Sequence, residues 1–249
     1  MHGEYTSMSS TIMSDTTMSD TSKDFVVGVP TLNRPDTLYV LLLSVLKSTV
    51  RPKFFVIIDN SGGTITQELQ QREIPHDLIP AAQEIQLAFH IAEHNLGVAA
   101  SWNAVLELYH DYPVIMSNDD VELDPHALEY LLEHAHDDVV ACGDTISGNA
   151  FSLFLLPHHI YRAVGEFDTH FYPAYFEDND YYWRMHTQGY ELLQLPNVRY
   201  THVGSATLQN YTPEQRLQHH KDFEANRAYY IEKWGGLPGF ETYRKPFNT

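Results

Sequence analysis

The chain of 249 residues is acidic, with 33 Asp and Glu against 15 Lys and Arg and a formal net charge of -18. A surface of this sign repels phosphate groups, so the composition argues against binding to nucleic acid or to anionic lipid. No apolar run approaches the roughly 20 residues that a membrane span needs. The single cysteine, Cys142, excludes an intrachain disulfide. With no secretory leader pattern either, we expect a cytoplasmic location.

The two ends of the chain differ in complexity. Residues 1–22 are rich in Ser, Thr and Met and repeat the pattern TxMSDT, which predicts a flexible N-terminal tail. Residues 23–249 have the composition of one folded domain.

Strands and helices alternate through the first half of this domain. The predicted strands lie at 25–29, 53–60, 85–91 and 113–119. Helical segments follow them: one capped by Asp36, a polar one from Thr64, one in the second half of 92–110, and one from Asp124. Such alternation predicts an α/β domain with a mostly parallel sheet and helices on its faces.

Polar side chains follow each of these strands directly. They are Thr31 and Asn33, then Asp59 and Asn60, then Asn95, and finally Asn118, Asp119 and Asp120. Since ligands of such sheets sit beyond the carboxyl ends of the strands, we expect these side chains to converge on one site. Asp119 and Asp120 favour a hard divalent cation, which takes oxygen ligands; the alternative is that they only cap the next helix.

The second half has a different rhythm. Short strands are predicted in DVVACGD, AFSLFLLP, YELLQLP and VRYTHV, with helices at 157–164, 178–189 and 213–234. His202 ends the VRYTH strand, and imidazole is a good ligand for ions such as Mn²⁺ if that strand ends near the acids. A packed or surface histidine is the alternative.

The stretch FYPAYFEDNDYYWRM, residues 171–185, surrounds Glu177, Asp178 and Asp180 with aromatic side chains. Desolvation by aromatic neighbours raises the proton affinity of a carboxylate, which suits a general base. Acids at a helix start also complement the helix dipole, and that role alone would explain Asp180.

Together these segments resemble family 2 glycosyltransferases of the GT-A fold, from about Phe25 to Trp234. The resemblance is carried by VGVPTLNRPDTL, IIDNSGG, HNLGVAASWNAVL, NDDVELDP, VGEFDTHFYPAYFEDNDYYWRM and THVGSAT. Their order is similar to that in the rhamnosyl- and galactofuranosyl-transferase-like branch. The resemblance implies a nucleotide-binding half at about 23–124 and an acceptor-facing half at about 125–249.

The resemblance implies an inverting transfer of a sugar from a nucleoside-diphosphate sugar to a hydroxyl of a glycan or other acceptor. Asp178 corresponds to the general base, and Glu177 orients the base or the acceptor. Asp120 and His202 would hold Mn²⁺ or Mg²⁺. The metal motif D-x-D falls on residues 118–120, and its first position is Asn118 here, a weaker ligand than a carboxylate.

The remaining implied contacts divide between nucleotide and acceptor. The nucleotide pocket would be formed by Pro30, Thr31, Asn33, Asn95, Gly97, Asn103, Asn118 and Asp119, with Asp59 hydrogen-bonded to the base. Tyr175 and Trp183 would stack on the acceptor sugar, although core packing explains such aromatic residues equally well.

Three other classes of function were weighed. A sugar nucleotidyltransferase needs a glycine-rich phosphate loop after the first strand, and PTLNRPDTL has Arg34 but no glycine run. A dinucleotide oxidoreductase needs G-x-G-x-x-G after a strand, which is absent from the sequence. A non-catalytic module that binds nucleotide sugars or glycans on the same fold stays open.

Overall fold

The computed structural model describes residues 24–143, 149–202 and 212–249. The predicted tail at 1–22 and the end of the THVGSAT motif lie outside the described residues.

The centre of the fold is a seven-stranded sheet in the order β3-β2-β1-β4-β7-β6-β8. Its strands are β1 (Val26–Thr31), β2 (Phe54–Asp59), β3 (Gln86–Ile91), β4 (Val114–Ser117), β6 (Val139–Gly143), β7 (Leu153–Leu155) and β8 (Glu191–Leu195). Only β7 runs against the others, so the carboxyl ends of the other six strands share one edge. A separate two-stranded sheet pairs β5 (Val121–Leu123) with β9 (Tyr200–His202). The prediction of a mostly parallel sheet is confirmed.

Helices cover the sheet. They are α1 (Pro35–Leu46), α2 (Thr64–Gln70), α3 (Ile79–Gln83), α4 (Gly97–Leu108), α5 (Ala127–Leu132), α6 (His158–Val164), α7 (Glu177–Thr187) and α8 (Pro213–Trp234). Two predicted helix starts are wrong. Asp36 lies in the first turn of α1 and Arg34 is the N-cap residue, because Pro35 is pre-set for the first helical position. The helix expected from Asp124 begins at Ala127, because the Asp124 N–H still bonds to Arg199 O and residues 124–127 form a turn first.

Apolar side chains of β1 alternate between two cores, one on each face of the sheet. Val27 and Val29 pack with Leu38 of α1, whereas Val26 packs with Trp102 of α4 and Tyr181 of α7. This two-sided burial is what a parallel sheet requires, because helices cover both of its faces. Within the described ranges, none of the helices has the length and apolarity to cross a bilayer.

A buried ionic network joins α8 to α7. Asp180 is fully buried and accepts hydrogen bonds from Trp234 Nε1 at 2.9 Å and from Arg184 Nε at 2.8 Å. The Lys233 ammonium lies 2.6 Å from Asp180 and 2.6 Å from Asp168. Asp180 therefore does more than complement a helix dipole: it fixes the long C-terminal helix against the helix that begins with the acidic stretch.

Candidate active site

The acids that follow β4 meet the residues that follow β1. Thr31 Oγ1 donates a hydrogen bond of 2.8 Å to Asp119 Oδ2, since the two strands are neighbours in the sheet. The Arg34 guanidinium lies 3.5 Å from Asp119 Oδ1 and also hydrogen-bonds Asp120 Oδ2. Burial raises the pKa of Asp119 to about 6, even though Arg34 and Thr31 favour its charged form. The predicted convergence of strand-end residues is therefore present for these positions.

His202 reaches Asp120 through the register of the small sheet. Val121 pairs with His202 across β5 and β9, which places the imidazole beside the residue that precedes Val121. His202 Nε2 lies 2.9 Å from Asp120 Oδ1. Burial alone would raise the pKa of Asp120, but the His202 hydrogen bond and the Arg34 charge bring it below its usual value. The two predicted metal ligands are thus in direct contact.

The Asp120–His202 pair offers two side-chain ligands of the types that divalent ions take. Two neighbouring ligands of an octahedral ion with bonds of about 2.1 Å lie about 3 Å apart, close to the observed separation. Among residues 24–143, 149–202 and 212–249, no group of three or more His, Cys, Asp or Glu side chains could hold a metal ion. An ion here would need further ligands from donor phosphate or water, as Mg²⁺ commonly has. Asn118 contacts Ser152, with its side-chain amide donating to Ser152 Oγ at 3.4 Å and its backbone N–H donating to Ser152 O at 2.9 Å.

The acidic stretch is presented by a strained turn. Tyr175 and Phe176, directly before α7, have φ values of 80° and 73° in the left-handed region. Such backbone costs about 1–3 kcal/mol per residue and persists where surrounding contacts hold it. Asn226 of α8 donates its side-chain amide to the carbonyls of Ala174 and Tyr175, at 2.9 and 3.3 Å. On the other side, Pro173 O accepts a hydrogen bond from Val98 N, at the start of α4.

Glu177 and Asp178 differ in their surroundings. Glu177 is buried, and among the described residues its Oε2 has no hydrogen-bond partner. Burial, with the neighbouring Asp178 charge, raises the pKa of Glu177 well above its ordinary value. Asp178 is half-buried, accepts from Asn179 N at 2.8 Å, and has a pKa raised by burial against that hydrogen bond. The two carboxyl groups are therefore poised to hold or take a proton.

Asn149 lies near Asp178 and Tyr200, and the sequence pattern did not single it out. Its side chain lowers the pKa of Asp178, and its carbonyl accepts a hydrogen bond of 3.3 Å from the Tyr200 hydroxyl, two residues before His202. Asn149 also caps the short 3-10 turn at 150–152 through a bond from Phe151 N. In the sequence, the feature that could have identified Asn149 is an asparagine at the start of a turn directly before an apolar strand. Asn149 therefore lies beside both the start of α7 and the start of β9.

Asp59 has an anchoring role in the structure. Oδ1 accepts from Ser61 N at 2.8 Å and from Ser61 Oγ at 2.5 Å, while Oδ2 accepts from Thr66 N at 2.8 Å and Thr66 Oγ1 at 2.7 Å. Burial would raise the pKa of Asp59, yet these bonds hold it below its usual value. A carboxylate has about four acceptor sites, and the protein fills all four. The nucleobase of a bound nucleotide would therefore have to displace one of these donors in order to hydrogen-bond Asp59.

Asparagine side chains shape the loop after β3. Asn60 Oδ1 accepts from Leu96 N at 2.9 Å, and Asn95 Oδ1 accepts from Gly97 N at 2.9 Å. Gly97 has a φ of 79°, and a Cβ there would come within 2.9 Å of Pro173 O. Asn103 uses its amide to bridge the backbone N–H and carbonyl of Phe167, both at 2.8 Å. These side chains fix the backbone near the predicted nucleotide site. Direct contact of Asn95, Gly97 or Asn103 with a nucleotide stays a prediction.

The other predicted contacts differ in exposure. Asn33 is exposed and Pro30 is half-buried, so both are open to a ligand. Tyr175 is 42% exposed and pairs its hydroxyl with His219 Nε2 at 2.9 Å. Trp183 donates its indole N–H to Tyr243 O at 2.9 Å. It also packs against a small apolar cluster, formed by Phe171, Phe176, Tyr230 and Trp234. Of the two predicted acceptor aromatics, Tyr175 is the more accessible.

Comparison with solved structures identifies the fold. The mannosyltransferase PcManGT from Pyrobaculum calidifontis, in complex with GDP-Man and Mn²⁺, aligns with a TM-score of 0.62 at 15% identity over 86% of this chain. TarS 1–349 of S. aureus aligns at 0.55 with 15% identity, and its complex with UDP at 0.54 with 16%, each over 71% of this chain. The fold is therefore GT-A. The chain spans 66% of the first structure and 59% of the other two, so it is shorter than these proteins.

The family follows from the sequence itself. The profile of glycosyl transferase family 2 matches residues 26–226. No curated protein sequence gives a significant match. The chain therefore belongs to glycosyl transferase family 2.

Proposed function

We propose that the protein is an inverting glycosyltransferase that moves a sugar from a nucleoside-diphosphate sugar to a hydroxyl of a glycan or other acceptor. The single observation that carries this proposal is the acidic start of α7. A strained turn, held from α8 by Asn226, presents a half-buried Asp178 whose pKa is raised by burial. Strained backbone clusters at active sites and ligand clamps, so its position directly before two adjacent carboxyl groups supports a functional role for them.

Asp178 is the proposed general base. An acceptor hydroxyl is a poor nucleophile until a positioned group takes its proton, and a carboxylate with a raised pKa takes it more readily. The oxygen then attacks the anomeric carbon on the face opposite the departing nucleoside diphosphate, so the anomeric configuration inverts. Burial beside Asp178 raises the pKa of Glu177 well above its ordinary value, which favours its neutral form and limits a second charge next to the base.

The donor is proposed to lie between α7 and the acids that follow β4. Asp120 and His202 would hold a divalent ion, Mn²⁺ or Mg²⁺, and Thr31 and Asp119 lie directly beside them. Such an ion would stabilise the negative charge that develops on the leaving diphosphate. The Mn²⁺ and GDP-Man in the complex of PcManGT support a divalent cation and a nucleotide-sugar donor for this fold.

The test is nucleoside diphosphate release from a panel of nucleotide sugars, with and without Mn²⁺, followed by Asp178→Asn. Thermal shifts first select the donor that stabilises the protein. We expect wild type to release the diphosphate when an acceptor is present, and Asp178→Asn to lose turnover by about 10²–10⁴-fold while keeping its donor Kd. Asn179→Asp, one residue along the same helix turn, is the matched control and should retain turnover.

Three outcomes would count against this function. Donor binding without turnover for any acceptor would favour a non-catalytic binding module on the same fold. Full turnover by Asp178→Asn would remove Asp178 as the base. Retention of configuration in the product, measured by NMR at the anomeric proton, would contradict direct inversion.

A further inference from the structure

Arg34 occupies the place where the two donor-site acids need a positive charge. It is the N-cap residue of α1, and Pro35 at the first helical position fixes the backbone that carries it. Its guanidinium hydrogen-bonds Asp120 and lies 3.5 Å from Asp119. The Arg34 side chain is 21% exposed and that of Asp120 only 4%. This is a largely desolvated ion pair, and it differs from an exposed surface contact.

Few positively charged side chains pair with Asp119 and Asp120. In the part of the chain that the structure describes, Arg34 is the only Lys or Arg that forms an ion pair with Asp119 or Asp120. His202 is the other partner of Asp120. A divalent ion bound to Asp120 and His202 would lie close to the guanidinium, and like charges at such separations repel strongly. Arg34 and the ion therefore compete for one carboxylate.

We propose that Arg34 is the resident counter-ion of this site, and that a divalent ion replaces it at Asp120. The exchange frees the guanidinium, which then pairs with the diphosphate of the donor. Arg34 is thus a positioning residue for ion and donor, and its role couples the binding of one to the other. The inference rests on the proposed function in taking Asp120 and His202 as ligands of the ion and the diphosphate as that of the donor.

The test measures Mn²⁺ binding to the full chain without nucleotide, by calorimetry and by electron paramagnetic resonance. We expect Arg34→Met to bind Mn²⁺ about tenfold tighter or more than wild type, because the competing charge is gone. Arg72→Met is the control: it also removes one positive charge near α1, from the pair with Asp36 at 2.5 Å, where the Asp36 side chain is 85% exposed. The control should bind Mn²⁺ as wild type does. Binding by Arg34→Met that is equal to or weaker than wild type would overturn the exchange.

A second measurement covers the case in which Arg34→Met does not fold. The Nε–H signal of Arg34 in ¹⁵N-labelled wild type is assigned by its loss in Arg34→Lys. On saturation with Mg²⁺ alone, and then with Mg²⁺ and inorganic pyrophosphate, we expect this signal to shift at each step. A signal that responds to neither addition would overturn the proposal. Neither measurement uses turnover, so failure of the exchange and failure of sugar transfer are separate results.

Discussion

Lys233→Met tests whether the buried network between α7 and α8 holds the site together. The Lys233 side chain is 7% exposed, and its ammonium lies 2.6 Å from both Asp168 and Asp180. Removing one partner of a buried ion pair costs about 3–5 kcal/mol, because the carboxylates stay desolvated without their counter-ion. At about 2–4 °C per kcal/mol for a chain of this size, the melting temperature should fall by roughly 6–20 °C.

The assay is urea unfolding at pH 7, with Arg227→Met as the matched control. Arg227 lies 3.3 Å from Glu224 on the same helix, but both side chains are more than 40% exposed. Such a pair contributes about 0–1 kcal/mol, so the control should unfold close to wild type. A Lys233→Met variant that loses no more than this control would refute the reasoning.

The pH dependence of this loss follows from Asp168. Burial would raise the pKa of Asp168, but Lys233 and its other donors bring it below its usual value. A carboxylate with a depressed folded-state pKa contributes stability above its unfolded pKa of about 4, and that contribution is lost as pH falls through the folded value. The difference between wild type and Lys233→Met should therefore shrink on acidification below about pH 4.

Three further predictions concern the site. Burial first, and then the Asp178 charge, raise the pKa of Glu177, so its stabilising effect is present below its ordinary pKa of 4.5 and is lost as pH rises. Glu177→Gln should accordingly raise the melting temperature at pH 8 and leave it nearly unchanged at pH 4; an equal effect at both pH values would contradict a raised pKa. Asn226→Asp keeps the side-chain shape but removes the donor to the strained turn, so we expect kcat to fall about tenfold or more with an unchanged donor Kd, at a cost of about 1–3 kcal/mol in unfolding. An unchanged kcat would show that α8 does not position the acids. Asp59→Asn leaves one acceptor oxygen for the four donors of Ser61 and Thr66, and should cost about 2–4 kcal/mol in urea unfolding. A near-neutral result would show that the Ser61–Thr66 turn does not depend on that carboxylate.

The sheet and the position of its site could be predicted because they depend on local pattern. Apolar runs followed by polar residues mark the ends of β1, β2 and β4, and parallel strands bring such ends to one edge. The contact of His202 with Asp120 could only be anticipated conditionally, since it depends on the pairing of β5 with β9. Three-residue strands leave too little sequence pattern to reveal their partners.

The electrostatic partners were beyond sequence reasoning. Lys233 meets Asp168 and Asp180 only after α8 packs on α7, and α8 is a mainly polar helix whose charges look solvent-facing in sequence. In the sequence, Arg34 was noted only in the argument against a sugar nucleotidyltransferase, because no glycine-rich loop accompanies it. In the structure it pairs with both acids that follow β4. The predicted contact of Asp59 with a nucleobase did not include the hydrogen bonds from Ser61 and Thr66. Such contacts within a turn depend on backbone geometry, which the sequence pattern does not show.

The central claim is that Asp178 and the Asp120–His202 pair face one bound donor. A crystal structure with Mn²⁺ and the selected nucleoside diphosphate tests this most directly, through the anomalous signal of manganese. We expect the manganese peak within bonding distance of Asp120 and His202, and the diphosphate bound to it on the side that faces Asp178. A peak at any other residues, or a diphosphate with the α7 acids on the far side of the protein, would contradict the account.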